Sequence, residues 1–158
     1  MTTTAYIALG SNLGDRQATL DQAAAMMDAH AAITVRTVSP LIETDPVGPE
    51  GQGAYLNGAA EIETTLSPRD LLTALQSIEA QLGRDRANEQ RWGSRTCDLD
   101  ILLYGDTIVD EPDLTIPHPR MSERTFVLAP LAAIAPNAIH PVLKRTVSEL
   151  LAALEATP

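Results

Sequence analysis

The stretch "RWGSRTCDLDILLYG", Arg91 to Gly105, sets two carboxylates one residue apart at the start of an apolar run, just after two arginines and the chain's only tryptophan. Side chains on a strand alternate between faces. Cys97, Leu99, Ile101 and Leu103 therefore form an apolar row suited to packing under helices, and Asp98 and Asp100 share the opposite face. At the strand rise their Cα atoms lie roughly 7 Å apart, near enough for the two charges to repel. Such a pair is either solvated at an exposed edge, balanced by Arg91 and Arg95, or bridged by divalent cations. Hard oxygen donors suit Mg²⁺, which takes one or two carboxylates and completes its shell with water and substrate phosphates.

Working outward from this strand, "TAYIALG" (Thr4 to Gly10) reads as a buried strand, followed by the turn "SNLGD" and an alanine-rich helix from about Arg16 to Ala29. "ITVRTVSPLIET" (Ile33 to Thr44) alternates as a second strand, with Pro40 marking an edge or a bulge, and "YLNGAAEIETTL" is a third. Ser67, Pro68 and Asp70 start a helix: a cap, a proline at the first helical position and an acid three residues after the cap, with Gly83 closing it. After the fourth strand, "CDLDILLY", a short hairpin is expected around Gly105 and Asp106, then a helical turn or two in "SERTFVLAPL". "TVSELLAAL" carries a capping box, Thr146 with Glu149. The core order β-α-β-β-α-β gives an α+β fold of the ferredoxin-like kind: an antiparallel sheet with both helices on one face, the other face open, and a C-terminal extension. One domain spanning residues 1–158 is expected.

Two irregular segments, "DPVGPEGQGA" (Asp45 to Ala54) and "RDRANEQRWGS" (Arg84 to Ser94), end beside strands and are placed to fold over the open face. Arg84, Arg86, Arg91, Arg95, Arg120 and Arg124 are six of the eleven basic residues and fall within 41 positions. In a chain of net charge -10 this enrichment points to a small anionic ligand with several charges, set against a solvated, salt-bridged loop. The same net charge disfavours nucleic acid and acidic membrane surfaces. No stretch reaches the roughly 18 apolar residues of a membrane span, and no signal-like start is present, so a cytoplasmic protein is expected. The single cysteine, Cys97, excludes an internal disulfide and a cysteine-based zinc site. A lid of arginines above paired carboxylates is the layout phosphoryl transfer asks for, although no G-x-x-x-x-G-K-[ST] motif is present.

The motifs "YIALGSNLGDR", "ETDPVGPEGQGAYLN", "IEAQLGRDR", "RWGSRTCDLDILLYG", "IPHPRMSERTFVLAPL" and "IAP" occur in one order, and together the chain resembles the 6-hydroxymethyl-7,8-dihydropterin pyrophosphokinase family of folate biosynthesis. The resemblance implies transfer of the pyrophosphoryl group of ATP to the pterin hydroxymethyl group, giving AMP, by a monomer with two Mg²⁺ ions held at Asp98 and Asp100. It also matches Arg84 and Arg95 to catalytic arginines acting on the phosphates. Gln76, Glu79, Arg91, Ile101, His118 and Arg124 match further ATP contacts. The pterin pocket matches Thr44, Asp45, Val47, Tyr55, Asn57, Trp92 and Phe126. A flat bicyclic ring needs two aromatic faces to lie between, and Trp92 and Phe126 are the only residues of their types. Asn57 offers a donor and an acceptor to the amide-like edge of the ring. Departures from the commoner pattern fall at Ser94 and Gly53, each in place of a proline, which should loosen both loops. Pro119, in place of a tyrosine, removes a hydroxyl, and Cys97, in place of an aliphatic residue, should be an inert thiol.

Overall fold

The first strand fixes the frame. In the computed structural model, which describes residues 2–11, 15–44, 55–83 and 97–156, β1 (Thr3–Ser11) runs antiparallel between two longer-range partners. The elements that follow are α1 (Arg16–Ala29), β2 (Ile33–Val38), β3 (Ile42–Thr44), β4 (Tyr55–Thr64), α2 (Pro68–Gly83) and β5 (Asp98–Tyr104). The sheet order is β2-β4-β1-β5, with β3 extending the β2 edge along the start of β4. This is the expected ferredoxin-like order.

Capping residues set the helix starts. Asp15 accepts the Ala18 N–H at 3.0 Å, and Ser67 accepts the Asp70 N–H at 3.1 Å. Leu20, Ala23 and Met27 of α1 and Leu71, Leu75 and Ile78 of α2 bury their side chains on one face of the sheet, against Ala5, Ile7, Leu9, Ile62, Leu99 and Ile101. Each large aliphatic chain buried there contributes about 1.5–3 kcal/mol.

Pro40 interrupts the second strand as expected. The ladder survives the missing donor because the Ser39 N–H donates to the Ala59 carbonyl at 2.8 Å, and the Ser39 hydroxyl accepts the Ala59 N–H at 2.9 Å. Leu41 then folds back over Gly58, where a Cβ would stand 2.4 Å from the Leu41 Cδ2.

Three expectations need correction. The second face of the sheet is not open along its length. A 3-10 turn at Met121–Glu123, α3 (Thr125–Ile134) and α4 (Val147–Glu155) cover part of it, burying Met121, Leu128, Leu131, Val147 and Leu150 against Ala59, Leu102 and Leu103. Leu103 thereby lies with the second core, not in the row of Cys97, Leu99 and Ile101. Ile7 pairs with Ile101 and Tyr6 with Leu103, leaving Leu102 as an extra residue on β5. This bulge reverses the alternation, and Tyr104 takes the place expected for Leu103. The hairpin also forms later than expected. The chain turns at Gly105, whose φ of 54° suits glycine. The pairing occurs between β6 (Val109–Glu111) and β7 (Leu114–Ile116) across Pro112 and Asp113. Arg69, at the start of α2, reaches Asp113 through both terminal nitrogens at 2.9 and 3.0 Å, and also Glu111. A last hairpin, β8 (Ile139–His140) with β9 (Arg145–Thr146), leads into α4, which starts on the expected Thr146 and Glu149 capping box. His30, exposed, and His140, buried, each accept local backbone N–H groups through Nδ1. Among the described residues no helix is long and apolar enough to cross a membrane.

Candidate active site

The end of the second face that α3 and α4 leave uncovered is built from two rows of residues across three strands. Gly10 of β1 pairs with Asn57 of β4 on one side and Asp98 of β5 on the other. In the next row on the same face, Ala8 pairs with Ala59 and Asp100. Small residues on the central strand thus make a floor, with an amide along one border and two carboxylates along the other. A Cβ at Gly10 would stand 3.3 Å from the Asn57 Oδ1 and 3.8 Å from the Tyr55 ring. The cleft above this floor has a volume of about 440 Å³, and its wall comes from Tyr55 and from Arg120, Glu123, Arg124, Phe126 and Val127 beyond the sheet.

Asn57 is buried and Asp98 half-buried, whereas Asp100 is exposed. Burial raises the Tyr55 phenol above its ordinary pKa, and the neighbouring Asp98 charge raises it further. Burial lowers His118; the Asp100 carboxylate opposes that, and Arg124 and Arg120 add to it, which places the imidazole within the field of the cleft. The Arg124 guanidinium lies 5.6 Å from the centroid of the Phe126 ring, within range of a cation–π contact. Under the floor, burial, together with Glu79 and Asp98, pushes the Cys97 thiol up to about 12, in keeping with an inert cysteine.

Asp98, Asp100, Tyr55, Asn57, Phe126 and Arg124 therefore meet in one cleft, and His118 stands at its margin. Thr44 pairs with Tyr55 in the register of β3 and β4. Three matched ATP contacts lie elsewhere. Ile101 is buried under α1 and α2, Gln76 is exposed on α2, and Glu79 accepts the Leu99 N–H at 2.7 Å on that same far side of the sheet. Their side chains do not line the cleft. Asp45, Val47, Arg84, Arg91, Trp92 and Arg95, with Arg86, Gly53 and Ser94, lie outside the described residues. Gly10 and Glu123 line the cleft without having been given a role from sequence, and Arg120, counted there only among the clustered arginines, lines it too. A glycine inside an apolar strand was the available signal for Gly10, because such a glycine often marks a close approach.

The carboxylates fit a hard divalent cation. They share a face, open on the cleft, and among the described residues no cluster of three or more His, Cys, Asp or Glu competes as a full ligand set. A site with two protein oxygens leaves coordination positions for phosphate and water, as Mg²⁺ prefers.

A family model described as 7,8-dihydro-6-hydroxymethylpterin-pyrophosphokinase (HPPK) matches residues 6–136. The chain belongs to this family. Relatives within this pyrophosphokinase family include the 2-amino-4-hydroxy-6-hydroxymethyldihydropteridine pyrophosphokinase of Bacillus subtilis, 57% identical over 134 residues that cover 85% of this chain and 79% of that protein. The enzyme of the same name from Pseudomonas aeruginosa is 46% identical over 148 residues, 94% of this chain and 90% of the relative. Among solved structures, the wild-type HPPK-DHPS of Plasmodium falciparum with pteroate superimposes at a TM-score of 0.73 with 16% identity. That match covers 97% of this chain and 42% of the longer one, and at such identity it speaks for the shared pyrophosphokinase fold.

Proposed function

We propose that the cleft is where this chain transfers the pyrophosphoryl group of ATP to the hydroxymethyl oxygen of 6-hydroxymethyl-7,8-dihydropterin, releasing AMP and the pterin diphosphate for folate biosynthesis. The observation that carries the reading is the row Asn57, Gly10, Asp98. It sets an amide able to read a pterin edge two strand spacings, about 10 Å, from the carboxylates, which is the distance a bicyclic ring and its hydroxymethyl arm occupy.

In this reading the pterin lies on Gly10 with its amide-like edge on Asn57 and one face against Phe126, and Thr44, Asp45, Val47, Tyr55 and Trp92 complete the pocket. Asp98 and Asp100 hold two Mg²⁺ ions, which supply charge neutralisation for the triphosphate and its transition state. Arg84, Arg91 and Arg95, with Arg124 and His118, bind and orient the phosphates. The hydroxymethyl oxygen attacks the β-phosphorus in line as the bond to the oxygen bridging the α-phosphorus breaks, so AMP leaves. Small floor residues let the ring approach closely, and the wall formed by residues 120–127 helps exclude water from the phosphates. The same reading has residues 1–158 acting as one catalytic domain, a monomer working in the cytoplasm where its co-substrate ATP is supplied; the elution volume of the purified protein tests the oligomeric state.

The deciding experiment is incubation with Mg-ATP and the reduced pterin alcohol. AMP formed in step with the pterin diphosphate supports the assignment. ADP as product, or no AMP at all, overturns it.

A further inference from the structure

We infer that Glu79 is a positioning residue for the two metal-binding aspartates, acting through the strand backbone from the opposite face of the sheet. Glu79 lies near the end of α2, and its Oε2 accepts the Leu99 N–H at 2.7 Å in a half-buried setting. Leu99 is the residue between Asp98 and Asp100. Among the described residues β5 is the outermost strand of its sheet, so there the N–H groups directed away from β1 meet no further strand. A carboxylate accepting such a group makes a charge-assisted bond, shorter and stronger than a neutral one. Holding the Leu99 amide fixes the peptide plane shared with Asp98, and with it the direction in which that Cα–Cβ bond leaves the backbone.

The link also joins two elements that follow one another in the chain order. Glu79 precedes the end of α2 at Gly83 by four positions, and Leu99 is the second residue of β5. The bond therefore ties the last turn of the helix to the first residues of the strand. Glu79 and Asp98 both contribute to raising the Cys97 thiol, in keeping with a carboxylate seated under this end of β5. Glu79 is not among the described residues that line the cleft, and its route to the chemistry is the Leu99 amide between the two aspartates. Outer partners of metal ligands change metal affinity by about 10–100-fold when removed.

The inference rests on Asp98 and Asp100 being the metal ligands, and the experiment separates the two. Binding of Mn²⁺ in the presence of a nonhydrolysable ATP analogue is followed by electron paramagnetic resonance for the parent, Glu79→Ala, Glu79→Gln and Asp98→Ala proteins. Binding of the analogue without metal and exchange of the Leu99 amide are measured alongside. Glu79→Ala should weaken Mn²⁺ binding about tenfold or more and accelerate Leu99 exchange, with metal-free analogue binding unchanged. Glu79→Gln keeps an acceptor and should restore most of the metal affinity. Should Glu79→Ala fail to fold, Glu79→Asp takes its place, since it keeps the charge but falls a methylene short of the amide. Parent-like Mn²⁺ affinity in both Glu79→Ala and Glu79→Asp would overturn the inference. So would equal loss of metal-free analogue binding in Glu79→Ala and Glu79→Gln, which would make Glu79 a nucleotide contact. Asp98→Ala that still bound Mn²⁺ like the parent would remove the metal assignment itself.

Discussion

Replacing Gly10 by alanine adds one methyl to the floor of the cleft and little else. The new Cβ would stand 3.3 Å from the Asn57 Oδ1 and 3.8 Å from the Tyr55 ring, tight for the first and ordinary for the second. Alanine in a strand interior gains about 0.5–1 kcal/mol over glycine through the entropy of the unfolded chain, which offsets the close contact. Net stability should change by less than about 1 kcal/mol, and Tm by no more than about 4 °C for a chain of this size. The ligand meets a larger change. A methyl projects about 1.5 Å from its Cα, and a displacement near 1 Å at a reacting centre costs about 100-fold in rate. The expected result is a fall of roughly that size in kcat/KM for the pterin at saturating Mg-ATP, with the Tm nearly unchanged. AMP release against pterin concentration, paired with a thermal unfolding curve, measures both. A kcat/KM within about threefold of the parent would refute Gly10 as the floor, and a collapse in Tm would refute the claim that Asn57 and Tyr55 accommodate the methyl at little cost.

Asp100→Ala should abolish AMP formation while its circular dichroism spectrum stays that of the parent, because the carboxylate is exposed and takes no part in packing, and the proposed function assigns it to the metal. Retained turnover would end the paired-carboxylate assignment. With its thiol pushed up to about 12, Cys97 is about one part in ten thousand thiolate at pH 8, so a disulfide reagent should label it only as fast as the protein opens. Thr146→Ala removes one half of the α4 capping box and should cost about 1 kcal/mol, read as a Tm lowered by about 2–4 °C. Glu149, the other half, is held below the ordinary carboxylate range by the Thr146 amide and hydroxyl. Its stabilisation is complete above the unfolded pKa and lost as pH falls through the lowered folded value. The Tm curves of the parent and Glu149→Gln should accordingly converge on acidification.

What was legible in the sequence was what depends on near neighbours. The cap at Ser67, the proline interruption at Pro40 and the capping box at Thr146 are each decided within a few residues, and the structure has them where the sequence placed them. The shared face of Asp98 and Asp100 followed from period-two alternation, which holds until the bulge at Leu102. That bulge was not legible, because "DILLYG" reads equally well as an unbroken strand and the extra residue shows itself only in the pairing with Tyr6 and Ile7. The cover on the second face was missed for a related reason. "RTFVLAPLAAI" is apolar all round, so its pattern gives no direction, and only tertiary packing decides which surface it buries. Gln76, Glu79 and Ile101 were matched by resemblance alone, and strand and helix geometry sends their side chains away from the cleft.

The bulge on β5 marks a waterline drawn across a single strand. Ahead of it Asp100 stands in solvent and Asp98 half in it; beyond it Leu102 and Leu103 are sealed against α3 and α4. The dry half acts as a keel for the wet one. A substitution that hollows out the packing around Leu103 would let the strand settle, and the tilt would be felt three residues away as a changed angle between two carboxylates. Losses of turnover should therefore arise at apolar positions that no ligand touches, and they should be rescued by refilling the hollow, not by repairing the cleft.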